Sequence, residues 1–186
     1  MKERPIIFSG PMVRAILDGR KTQTRRAVKP QPLWVASPGV PFKTMDADPK
    51  GTINCPYGQP GDRLWVRESH YMILQTHDGG AGAVEYRADY CDELASGIRW
   101  RPSIHMPRSA SRITLEVVSV RVERLDEISE EDAKAEGYKS QSIMENPDAG
   151  RLWFRDLWES INGPGSWAKN PFVWVVEFKR VEGGGK

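Results

Sequence analysis

The sequence has no long apolar run. No stretch reaches the roughly 20 residues that a membrane-spanning helix needs, and the opening "MKERPIIFSG" lacks the apolar core of a signal peptide. A cytoplasmic chain without a membrane partner is the expectation. Cysteine is almost missing. Cys55 and Cys91 are the only two and do not form a CxxC pair, so two reduced thiols are expected rather than a disulfide framework. Histidine is nearly as scarce, and His70, His77 and His105 show no ligand spacing. Neither a metal nor another cofactor is expected. No segment repeats, and a monomer is favoured, although nothing in the sequence specifies the oligomeric state.

What remains is ordinary for a globular protein: 39% apolar and 28% charged residues in a chain of 186. That length can bury a core without a staple. A single domain over residues 1–181 is expected, followed by a disordered tail, "EGGGK" at 182–186. The net charge of +2 hides an uneven distribution. Residues 1–30 hold eight Lys/Arg against Glu3 and Asp18, a local +6, which leaves the other residues at −4. A basic end on a near-neutral chain suggests an anionic partner such as nucleic acid or a nucleotide.

The pattern along the chain alternates short strands with short helices. "RPIIFS" (4–9) reads as a buried strand, and Ser9 and Pro11 then suit a helix start. Met12, Val13, Ile16 and Leu17 follow at helical spacing, and Gly19 suits the C′ position. Residues 30–60 hold seven of the fourteen prolines and keep no period, so a long, functional or mobile loop is expected there. "GDRLWVRES" (61–69) alternates Leu64 and Val66 against Arg63, Trp65 and Arg67, and "GAVEYRADY" (82–90) is a plausible partner strand. "SRITLEVVSVRVERL" (111–125) is the longest strand signal, with Ile113, Leu115 and Val117 facing inward. "SEED" at 129–132 starts a short helix that Gly137 ends. Residues 149–163 place Leu152, Trp153, Leu157 and Ile161 on one helical face, and "FVWVVEFKRV" (172–181) is a last strand. Five or six strands with three interspersed helices fit an α+β fold: a small mixed β-barrel with short helices at its ends.

Between the first helix and the long loop lies "GRKTQTRR" (19–26), which contains four cations and no apolar side chain. Gly19-x-Lys21-x-x-x-x-Arg26 matches the GxKxxxxR signature of the ASCH domain family, whose fold is a PUA-like β-barrel. The order of elements is similar too, down to the acidic helix ending "AEG" (135–137). More narrowly, "FSGPMVRAILDGRKTQTRR", "CPYGQPGDRLWVRES" and "SIHMPRSASRITLEV" resemble phage and prophage ASCH proteins, and the likeness covers nearly all of the chain. The chain departs from the family's small enzymes in its 30–60 loop and a 70–110 region that looks inserted. The resemblance implies RNA or a modified nucleoside as partner. One branch of the family deacetylates N4-acetylcytidine with a Lys, a Thr and a Glu, which by motif position fall on Lys21, Thr24 and Glu136.

The residues themselves bear on those roles. Lys21 as a base must lose its proton near neutrality, a shift of about 3 units from about 10.4, equivalent to about 4 kcal/mol. Burial and the repulsion of Arg20, Arg25 and Arg26 act in that direction, whereas a nearby Glu136 opposes it. Thr24 would be a nucleophile, for which it needs such a base, or would position a water, with Glu136 as the orienting acid; sharing a side with Lys21 requires a bend after Gly19. Arg26, Arg20 and Arg25 are candidates for substrate phosphate or an oxyanion. Arg63 with Trp65 could stack and pair with a base, and His105 in "PSIHMPR" could line a pocket mouth. The expected function is binding of RNA or a nucleoside, with metal-free hydrolysis of an N4-acyl cytidine as the reaction. Its alternatives are a non-catalytic RNA-binding module and an RNA-cleaving enzyme that uses the same basic site.

Overall fold

The segment "FVWVVEFKR" is apolar on both faces of a strand, and a strand of that kind belongs in the middle of a sheet. It forms β7 (Phe172–Arg180). Phe172, Trp174, Val176 and Phe178 join one buried cluster, while Val173 and Val175 join another. The computed structural model describes residues 1–29, 31, 55–73, 82–140 and 146–181. Most of the expected 30–60 loop and the 182–186 tail lie outside them.

Around β7 the sheet runs in the order β1-β3-β6-β7-β2, with β1 Glu3–Ile7, β2 Gln23–Ala27, β3 Arg63–Arg67 and β6 Thr114–Arg124. β1 and β3 are parallel; the other pairs are antiparallel. One face carries Ile6, Leu64, Val66, Leu115 and Val117 and is closed by Val13 and Ile16 of α1 (Gly10–Leu17). The opposite face of β7 is covered by α3 (Glu130–Ala135) and α4 (Ala149–Asn162). Each fully buried Val, Leu, Ile or Phe contributes about 1.5–3 kcal/mol of transfer free energy. The two-sided burial of β7 therefore ties both layers to one strand. Among the described residues no helix is long and apolar enough to cross a membrane.

Three expectations need correction. The sheet does not close into a barrel among the described residues: β1 and β2 are its two edges. Side chains fill the seam in place of a ladder, as Arg26 Nη2 donates to the Ile7 carbonyl at 2.6 Å and its guanidinium lies over the Phe8 ring. Residues 82–90 do not pair with β3, because β1 and β6 already occupy both edges of that strand. Instead β5 (Ala83–Tyr86) forms a separate hairpin with β4 (His70–Ile73), within the region that looked inserted, and the short helix α2 (Asp92–Ala95) follows it. The buried stripe of α4 is Gly150, Phe154 and Trp158; of the expected face Trp153 and Leu157 are half-buried against the same cluster, whereas Leu152 and Ile161 are exposed. The i, i+4 alternative won because Phe154 and Trp158 pack against each other and the Phe154 ring also meets Trp167.

Candidate functional site

The site starts at the exit of α1. Gly19 takes φ +74°, a conformation that glycine adopts at little cost. The amides of Arg20 and Lys21 both donate to the Ala15 carbonyl at 2.9 Å. This is the bend that the sequence required, and it turns Lys21 into the protein. The C-terminal end of α3 meets it there. Gly137 has φ +107°, and a Cβ at that position would lie 3.1 Å from Ala15 Cβ and 3.5 Å from Lys21 Cβ. Thr22 N donates to the Ala135 carbonyl at 2.8 Å, and Arg20 Nη1 donates to the Gly137 carbonyl at 2.8 Å. Two helix ends are thus stitched together.

Between them lies a buried ion pair. Lys21 Nζ donates to Glu136 Oε2 at 2.6 Å and to the Glu136 carbonyl at 3.0 Å. The two side chains are 0% and 2% exposed. Burial pushes the Lys21 ammonium below the usual lysine range; Glu136 opposes the shift, and Arg26 and Arg25 reinforce it. The direction is downward, the one a base needs. Arg25 is also fully buried. Its Nη2 lies 3.0 Å from Glu123 Oε2 and 2.9 Å from Asp132 Oδ2, and its Nη1 lies 3.5 Å from Glu136 Oε1. Arg121 extends the chain of charges to Glu123, Asp132 and Glu177.

Thr24 is buried on β2 and lines a cavity of about 50 Å³ with Met12, Arg26, Glu136, Phe154 and Trp158. About 10–15 Å³ of such space admits one water, so a small acyl group fits. A neighbouring cleft of about 340 Å³ shares Met12, Glu136 and Leu157 with it, a size within the range of small-molecule sites. Among the described residues, eleven buried side-chain nitrogens and oxygens have no hydrogen-bond partner. Five of them, Arg25 Nε and Nη1, Arg26 Nε, Glu136 Oε1 and Trp158 Nε1, belong to residues on this one cavity, although Arg25 Nη1 and Glu136 Oε1 face each other as an ion pair at 3.5 Å. Folded interiors leave few such atoms.

The remaining candidates lie elsewhere. Arg20 is partly exposed and pairs with Asp18 at 2.8 Å. Arg63 and Trp65 stand on the less buried face of β3, where the Arg67 guanidinium lies over the Trp65 ring. His105 is exposed on a short turn. None of these four lines the Thr24 cavity. The sequence reading missed the clamp around Arg25: Asp132 was visible only as a capping residue, and it does cap Ser129 N at 3.2 Å. It also missed Trp158 and Phe154 as cavity walls; their i, i+4 spacing was the available signal. Among the described residues no group of three or more His, Cys, Asp or Glu is placed to hold a metal ion.

With this geometry in view, the chain can be compared with known proteins. No family model and no curated protein matches it. Among solved structures it is similar to an ASCH domain from Lactobacillus crispatus JV V101. That likeness covers 96% of this chain and 79% of the other, at 14% identity and a TM-score of 0.42.

Proposed function

We propose that this chain is an ASCH-type amidohydrolase that needs no metal and removes the acyl group from N4-acylated cytidine. One observation carries the reading: the buried Lys21–Glu136 pair, 2.6 Å apart, shares its glutamate with the cavity that Thr24 lines. In the proposed reaction Thr24 Oγ1 attacks the acyl carbon, and its proton passes to the neutral amine of Lys21. As the C–N bond breaks, that proton returns by way of Glu136 to N4, and cytidine leaves. Water then attacks the acyl-threonine with Lys21 again as base, releasing the carboxylic acid and restoring Thr24. Arg26 on the cavity wall is the cation nearest in role to an oxyanion contact.

The burial of the cations weighs against the alternative of a phosphate clamp. Lys21 and Arg25 have fully buried side chains committed to carboxylates, so neither is free to hold a backbone phosphate. The test is release of acetate from N4-acetylcytidine, with and without chelator. Lys21→Ala is expected to lower turnover by about 10²-fold or more. Lys21→Arg is expected to be as inactive, because a guanidinium does not deprotonate near neutrality. Arg20→Ala is expected to stay near wild type. Loss of activity on chelation would overturn the scheme, as would an active Lys21→Arg variant. No turnover by a folded protein that binds RNA would leave the non-catalytic module.

A further inference from the structure

β4 is paired along one edge by β5. Among the described residues its other edge is met only at His70, where His70 N donates to the Arg101 carbonyl at 3.1 Å and Arg101 N to the His70 carbonyl at 2.8 Å. An antiparallel ladder would continue from there with bonds exchanged between Met72 and Arg99, Tyr71 and Trp100 forming the non-bonded pair between them. Among the described residues neither of those bonds is made, and Trp100 N donates to the Ile98 carbonyl at 3.0 Å, a tight turn just before Arg101. The two segments splay apart and leave a groove of about 600 Å³, lined by Tyr71, Met72, Arg99, Trp100, Arg101 and Pro102.

The chemistry of that lining is specific. Among the described residues no carboxylate is part of it. Among them, too, Arg99 is exposed and makes no ion pair, and the Arg101 guanidinium reaches only the Met72 sulfur, at 3.9 Å. Elsewhere on the same insert the arginines Arg87 and Arg108 are occupied: Arg87 pairs with Asp92, and Arg108 with Glu3. Trp100 is held in place, with Nε1 donating to the Ala95 carbonyl at 3.0 Å and its ring 5.3 Å from that of Tyr90. Tyr71 stands 41% exposed on the opposite wall. Uncommitted guanidiniums beside a fixed indole and an exposed phenol suit a ligand with both phosphates and flat rings.

We infer that this groove binds a short stretch of single-stranded RNA, with Arg99 and Arg101 on successive phosphates and bases stacked on Trp100 and Tyr71. The choice of RNA over DNA rests on the proposed cytidine chemistry; the groove itself does not. It is separate from the Thr24 cavity and shares no residue with it. The experiment is a fluorescence titration of the full chain with a short unstructured RNA and the matching DNA, at several salt concentrations. With two phosphate contacts, the log–log salt slope for wild type is expected near −1.4, at about 0.7 per contact. The Arg99→Glu/Arg101→Glu double variant is expected to lose most of the binding. Tyr71→Ala, at an exposed position that leaves the fold intact, is expected to weaken binding about 5-fold or more, the scale of one base stack. Turnover of the free acylated nucleoside should be unchanged in both variants. RNA binding that survives the charge reversal overturns the groove, whatever the catalytic result. Equal binding of the DNA overturns the RNA assignment. Absent turnover of the free nucleoside with intact, Arg99-dependent RNA binding overturns the amidohydrolase reading and leaves the groove standing.

Discussion

At the residue scale, Glu136 holds two cations and each cation holds it unequally. Lys21 Nζ is 2.6 Å from Oε2, and Arg25 Nη1 is 3.5 Å from Oε1. Removing Lys21 leaves Glu136 facing Arg25; removing the Glu136 charge leaves two cations together in a buried place. Breaking a buried pair by removing one partner costs about 3–5 kcal/mol. Glu136→Gln is therefore expected to cost that much, and Lys21→Met distinctly less, as read from urea midpoints at constant slope. The pH dependence has a definite sign. The folded state holds Lys21 below its unfolded value of about 10.4. Between those two values the unfolded chain binds more protons, so stability rises with pH. Below the folded value, keeping Lys21 charged is a constant cost. The stability of wild type relative to Lys21→Met should therefore increase from pH 7 toward pH 10. A flat difference would mean that Lys21 titrates as an ordinary lysine.

At the scale of elements, α4 carries the clearest tests. Its N-terminus is satisfied from outside the helix, since Glu130 Oε2 and Oε1 accept from the amides of Gly150 and Arg151 at 3.0 and 2.9 Å. Gly→Ala inside a helix ordinarily gains up to about 1 kcal/mol. Here an added Cβ would lie 2.6 Å from Glu130 Oε2 and 2.9 Å from Ala133 Cβ. Gly150→Ala is expected to destabilise by about 1–3 kcal/mol, the cost of overpacking. Phe154→Ala should cost about 3–5 kcal/mol, while Leu152→Gln, on the exposed side, should stay within about 0.5 kcal/mol. Thermal or urea unfolding reads all three. The same helix shows how far the sequence could be read. Its limits were legible, because Gly163 and the apolar spacing mark them. Its buried face was legible only in part, because two apolar stripes compete on it: Trp153 of one meets Tyr138, and Phe154 of the other meets Trp167. β1, α1, β6, α3 and β7 were legible for the opposite reason, each having one pattern and one set of end signals. In the site, the turn after Gly19 and the Lys21–Glu136 meeting followed from the motif. The Arg25 clamp did not, because its three carboxylates come from positions 123, 132 and 136, far from residue 25 in sequence.

At the scale of the whole molecule, the order of the strands in space differs from their order in the chain. Among the described residues β2 pairs with β7 alone, in the register Gln23 to Glu177 through Ala27 to Val173. During synthesis at about 5–20 residues per second, the roughly 145 residues between them take about 7–30 s to appear. For that interval Lys21, Thr24 and Arg25 have been made but have no strand to lie against. Pairing across so large a separation is also slow in itself, since the loop must close before any contact rewards it. A chain truncated before Phe172 is expected to leave the amides of Gln23–Ala27 open to hydrogen exchange, and exchange measured by mass spectrometry on wild type and truncated chains checks this. The nascent protein thus waits longest at a segment where Lys21 and Arg25 end with fully buried side chains. A cell that makes this protein has Gln23–Ala27 to shelter until the last strand arrives.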